Sequence, residues 1–139
     1  MNKFFSSALL LLTATTTTQA ALPVGTFGHE FTSAKDAPVW TVQAGGGSYK
    51  LLSHSDGKKK SAHILTSGER KAFWTKMAWT PGSDQDAECI GGTAEIICYI
   101  PTKTRQSIPA IQSQVSDFFH FDRTGGLMEI QKIGGDKVQ

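Results

Sequence analysis

After its opening segment the chain has no apolar run long enough to cross a bilayer, which takes about 20 residues. Net charge of either sign is also small, with 14 Lys and Arg against 12 Asp and Glu. A nearly neutral chain is a poor candidate for nucleic acid, where clustered basic charge supplies most of the affinity. Nucleophile motifs are missing: there is no GxSxG, and Ser67-Gly68 does not stand in a nucleophile elbow. Gly45-Gly46-Gly47 lacks the lysine and the following helix pattern of a phosphate loop. The four histidines, His29, His54, His63 and His120, show neither HxH nor HxxxH spacing. The acidic loop "GSDQDAE", with Asp84, Asp86 and Glu88, is shorter than a calcium loop, lacks its terminal pattern and reads as a solvated turn. These absences point to no cofactor, no metal and a protein that is not an enzyme.

What is present begins with "MNKFFSSALLLLTATTTTQAALPVG". Lys3 supplies a positive start, Phe4 to Leu12 a short apolar stretch, and Thr18-Gln19-Ala20 small residues at a cleavage site. The pattern is that of a secretory signal peptide over residues 1–20, leaving one globular domain at 21–133 and a short tail at 134–139. Its removal takes one Lys and no acid, so the formal charge falls from +2 to +1. The expected product is a soluble periplasmic or secreted protein with no membrane insertion.

The rest reads as antiparallel β-hairpins. "PVWTV" puts Trp40 and Val42 on one face, and "SYKLL" does the same for Tyr49 and Leu51, with the glycine run as the turn between them. "GTFGHEFTS" is a candidate strand with Phe27, His29 and Phe31 in step. Lys58-Lys59-Lys60 reads as part of a solvated loop. In "LTSGERKAFWTKMAWTPG" the Thr66–Glu69 spacing is that of a capping box, Phe73 and Met77 are four apart, and Pro81-Gly82 ends the segment, which predicts a helix. A strand is the rival reading there, since Phe73, Met77 and Trp79 also alternate with Trp74. "SDFFHFDRTGGLMEIQKI" predicts a hairpin turning at Thr124-Gly125, with Phe121 opposite Met128, Phe119 opposite Ile130 and His120 opposite Glu129. The fold class is therefore α+β, antiparallel hairpins forming a sheet or small barrel, with one short helix.

Cys89 and Cys98 flank "IGGTAEII". With the turn at Thr93-Ala94 they stand directly opposite, where Cα atoms lie about 4.5 Å apart, within disulfide range. An oxidising compartment favours that pairing, and closing so short a loop contributes about 2–3 kcal/mol on the chain-entropy model. Apolar residues fall on both faces of this hairpin, which predicts a central position covered on both sides.

"TSGERKAFWTK" resembles the "SGxxY…WTKG" segment of the periplasmic and membrane-bound C-type lysozyme inhibitors. Phe73 stands for the Tyr, and no Gly follows Lys76. The resemblance implies a small exported β-barrel with a disulfide, a strand over this segment, and Ser67 and Lys76 reaching into a lysozyme cleft. The leading expectation is an inhibitor or immunity protein whose partner is a cell-wall hydrolase or a rival's toxin, occluded sterically. Candidate contacts are Ser67, Glu69, Arg70, Lys76, Asp84 and Asp86, the acidic loop suiting a basic target. One alternative is a lipocalin-like carrier with Trp40, Tyr49 and Trp74 lining a pocket. Another is an enzyme using His120, Asp122 and Glu129.

Overall fold

The computed structural model describes residues 22–29 and 38–133. The signal-peptide segment, Phe31 and the tail lie outside the described residues. Among the described residues eight strands form a closed antiparallel barrel in chain order: β1 (Gly25–His29), β2 (Trp40–Gly45), β3 (Ser48–Ser53), β4 (Lys59–Ile64), β5 (Glu88–Gly91), β6 (Glu95–Tyr99), β7 (Phe118–Asp122) and β8 (Gly126–Ile133), with β8 returning to β1. Closure removes the unpaired edges an open sheet would leave. Two short helices interrupt the meander, α1 (Ser67–Lys76) between β4 and β5, and α2 (Thr102–Gln106) between β6 and β7. No helix among the described residues is long and apolar enough to cross a membrane.

Local chemistry accounts for these elements. Gly46 and Gly47 turn β2 into β3 with φ of 58° and 80°, values that favour glycine and match the right-handed twist of a two-residue hairpin. Thr66 and Glu69 form the expected capping box, so the segment is helical and not a strand. α1 ends in a Schellman arrangement, Trp79 N donating to Trp74 O and Ala78 N to Thr75 O. Its left-handed position is filled by Ala78 at φ 54°. The lysine run is not a loop, because Lys59 and Lys60 open β4. α2 had no warning in the sequence: it has five residues and no side-chain cap. It is held instead by the buried Arg105, whose Nη1 donates to Ser116 O at 2.7 Å and Asp117 Oδ1 at 2.9 Å.

Alternation then places two cores on the two sides of one wall. The lumen holds Phe27, Trp40, Val42, Leu51, Ile90, Ile97 and Ile130. The outer face of β5–β7 carries Cys89, Cys98 and Phe119, covered by Phe73, Trp74 and Trp79 of α1 and its exit and by Ile108 and Ile111 after α2. Cys89 pairs with Cys98 at a Cα–Cα distance of 4.1 Å, Ile90 with Ile97 and Glu88 with Tyr99, so this hairpin has the expected register and is covered on both sides.

The β7–β8 hairpin differs from expectation by one residue. Asp122 pairs with Gly126, Phe121 with Leu127, His120 with Met128, Phe119 with Glu129 and Phe118 with Ile130. The cause is the Asp122 carboxylate. It accepts from Thr124 N at 2.8 Å, from the Thr124 hydroxyl at 2.9 Å and from Gly125 N, an Asx turn that needs a three-residue loop. A one-residue slip inverts the facing of one strand relative to the other. Phe119 and Phe121 therefore point outward, while Met128 and Ile130 point into the lumen.

Candidate functional site

The tip of the β5–β6 hairpin, Gly92-Thr93-Ala94, stands between two surface grooves and lines both. One groove, about 280 Å³, has Leu65, Phe73, Ile96 and Phe121 on its floor and Glu69, Lys76 and Arg123 on its rim. The other, about 160 Å³, is lined by Leu51, Lys60, Ser61, Ala62 and Glu95. The ridge between them is stiffened from below. The disulfide lies two residue pairs from the tip, and Gly91 is packed so closely that a Cβ there would collide with the Glu95 carbonyl.

Two of the rim charges, Lys76 and Glu69, make local contacts. Lys76 Nζ lies 4.9 Å from the Phe121 ring centroid, a cation–π contact at the groove wall. Glu69 Oε2 bonds His63 Nε2 at 2.8 Å while its other oxygen accepts from Thr66 N. These bonds, that from His63 foremost, hold the Glu69 carboxyl below its ordinary range. Across the second groove Lys60 Nζ lies 3.5 Å from Glu95 Oε1.

Of the six contacts expected from sequence, Glu69 and Lys76 meet in the larger groove. Ser67 is exposed at the start of α1. Lys76 lies nine positions further along the helix, about 13 Å along the axis and half a turn around it. The two therefore face opposite ways, unlike the pair that the lysozyme-inhibitor resemblance would send into one cleft. Arg70 Nε donates to Asp84 O at 3.2 Å. Asp84 is buried, so the acidic loop is not the solvated turn its composition suggests; Asp86 alone of the two is exposed. Phe121, Arg123, Thr93 and Ile96 are groove residues the sequence did not single out. Phe121 was hidden by the register error, and Arg123 by lying in a turn with no pattern of its own.

The other two readings lose their geometry. His120 points into the lumen, where it stacks on Trp40 at 4.1 Å between ring centroids. Desolvation by burial pulls its pKa down to about 4 against the attraction of Asp122, so the ring is neutral at neutral pH. Glu129 lies on the outer face and accepts from Val115 N and Ser116 N at 2.8 and 2.5 Å. His120, Asp122 and Glu129 thus form no acid–base cluster. Trp40 and Tyr49 belong to the lumen, but Trp74 lies outside under α1, its Nε1 donating to Ser83 Oγ at 2.9 Å. These three do not line one pocket.

No known family model, curated protein or solved structure matches the chain. The site must be read from its own chemistry. Among the described residues no group of three or more His, Cys, Asp or Glu is placed to hold a metal ion, and neither cysteine is free. The arrangement offers a stiff ridge with an apolar groove on one flank and two rim cations, Lys76 and Arg123.

Proposed function

We propose that the protein is an exported module that binds and inhibits another protein, a cell-wall hydrolase or a rival's toxin, by inserting the β5–β6 tip into its cleft. The observation that carries this reading is the tip flanked by grooves on both sides and braced by Cys89–Cys98. A wedge stiffened in advance loses little conformational entropy on binding, which raises affinity without added area. Leu65, Phe73, Ile96 and Phe121 offer an apolar seat for the lip of the target's cleft. Lys76 and Arg123 set the sign of that target. Glycoside-cleaving wall hydrolases carry a pair of carboxylates in the cleft, and rim cations complement them, chiefly by raising the association rate. With Asp84 buried, an acidic target is favoured over the basic one that the acidic loop had suggested.

Co-expression with a periplasm-directed wall hydrolase tests the proposal. Cells carrying the protein are expected to resist lysis. Equal lysis with and without it, across glycosidase and peptidase types, removes the inhibitor reading.

A further inference from the structure

One rung of the barrel wall gathers soft donor groups that the groove does not use. His29 Nδ1 and Met128 Sδ approach to 3.1 Å. His120 stands directly opposite Met128 in the β7–β8 ladder, so both side chains enter the lumen. Its Nε2 is fully enclosed and has no hydrogen-bond partner among the described residues. A buried imidazole nitrogen left without a partner calls for an explanation such as an ion. Trp40 joins the three, stacked on His120 and meeting His29 edge-on at 5.6 Å between centroids.

We propose that His29, Met128 and His120 form a binding site for a soft monovalent cation, copper(I) or silver(I), at the mouth of the barrel lumen. Imidazole nitrogen with thioether sulfur is the donor set such ions select, whereas carboxylate and water suit harder ones. A nitrogen and a sulfur already in contact need only open slightly to admit an ion between them. His29 is exposed at the rim, which gives an entry path, and the buried His120 closes the inner end. The Trp40 indole face adds cation–π attraction. Asp122, whose charge already attracts the His120 ring, offsets part of the added charge, while Glu95 is matched by Lys60. The site is separate from the groove, and its test does not depend on any protein partner.

Silver(I) is titrated into the purified protein after chelator treatment, with tryptophan emission and native mass spectrometry as readouts. One equivalent is expected to bind, with quenching of the Trp40 share of the emission. Met128→Leu keeps the apolar volume and removes the sulfur, and His29→Gln removes an exposed nitrogen; each is expected to weaken binding about a hundredfold with an unchanged urea midpoint. His120→Phe keeps the stack on Trp40 and is expected to weaken binding similarly. Absence of a one-equivalent complex in the wild type overturns the proposal. So does silver affinity unchanged in Met128→Leu, or zinc(II) binding as tightly as silver(I).

Discussion

Reduction of the Cys89–Cys98 bridge separates its role in stability from its role in binding. The bridge joins residues nine apart in sequence. A loop of about that length gives roughly 2.6 kcal/mol on the chain-entropy model, or roughly 10 °C in Tm for a domain near 110 residues. Both cysteines are fully buried, one on each side of the bridge, between Phe119 and the α1 aromatic residues. Reduction therefore keeps the packing and removes only the constraint, whereas Cys89→Ala with Cys98→Ala also leaves two small voids. Urea unfolding with and without a phosphine reductant is expected to show the 2.6 kcal/mol difference, and the double alanine variant a further loss of about 1–2 kcal/mol. Because the bridge lies just below the tip, reduction at a temperature where the protein stays folded is also expected to weaken inhibition. A reduction effect below about 1 kcal/mol would refute the entropic reasoning. Unchanged inhibition by the folded, reduced protein would refute the idea of a braced wedge.

Three further outcomes follow from single residues. Ala78→Gly relieves a left-handed backbone at the exposed end of α1 and is expected to stabilise by up to about 1 kcal/mol in chemical denaturation, the relief being partly offset by the freer unfolded chain. Arg105→Met removes a buried guanidinium that bonds Ser116, Asp117 and Thr102; a loss of about 3 kcal/mol in urea unfolding is expected, since the Ser116 carbonyl loses its donor and Asp117 keeps only the Thr102 hydroxyl. Glu69 titrates below the ordinary carboxylate range because His63 bonds it. Its stabilising contribution is present above the unfolded pKa and is lost as pH falls through the lowered folded value. His63→Ala is expected to move that titration upward, as followed by the side-chain carboxyl shift in NMR.

Where several local signals agree on one geometry, the sequence was sufficient. The cysteine hairpin could be read because its turn, its apolar pairs and the disulfide distance agree on one register. The start of α1 could be read because Thr66 and Glu69 satisfy each other's backbone donors. The β7–β8 register was misread because Asp122 takes three donors in its own turn, a side-chain competition that apolar alternation does not reveal. α2 was missed because it rests on Arg105 reaching residues some ten positions away. The site was half legible for a similar reason. Glu69 and Lys76 lie on a patterned helix, while Phe121, Arg123 and Thr93 join them only once the barrel closes. Burial of Asp84 beneath Arg70 is likewise a tertiary outcome with no trace in the composition of its loop.

If the tip and its cationic rim occlude the cleft of a wall hydrolase, the effect is visible in the hydrolase's own turnover. The most direct measurement is the rate of cell-wall hydrolysis by a purified glycosidase as the protein is titrated in, compared with Lys76→Glu/Arg123→Glu. Saturable inhibition by the wild type is expected, with loss of it in the variant, mainly through slower association at low salt. Equal potency of the two, or no inhibition by the wild type across the hydrolases tested, would contradict it.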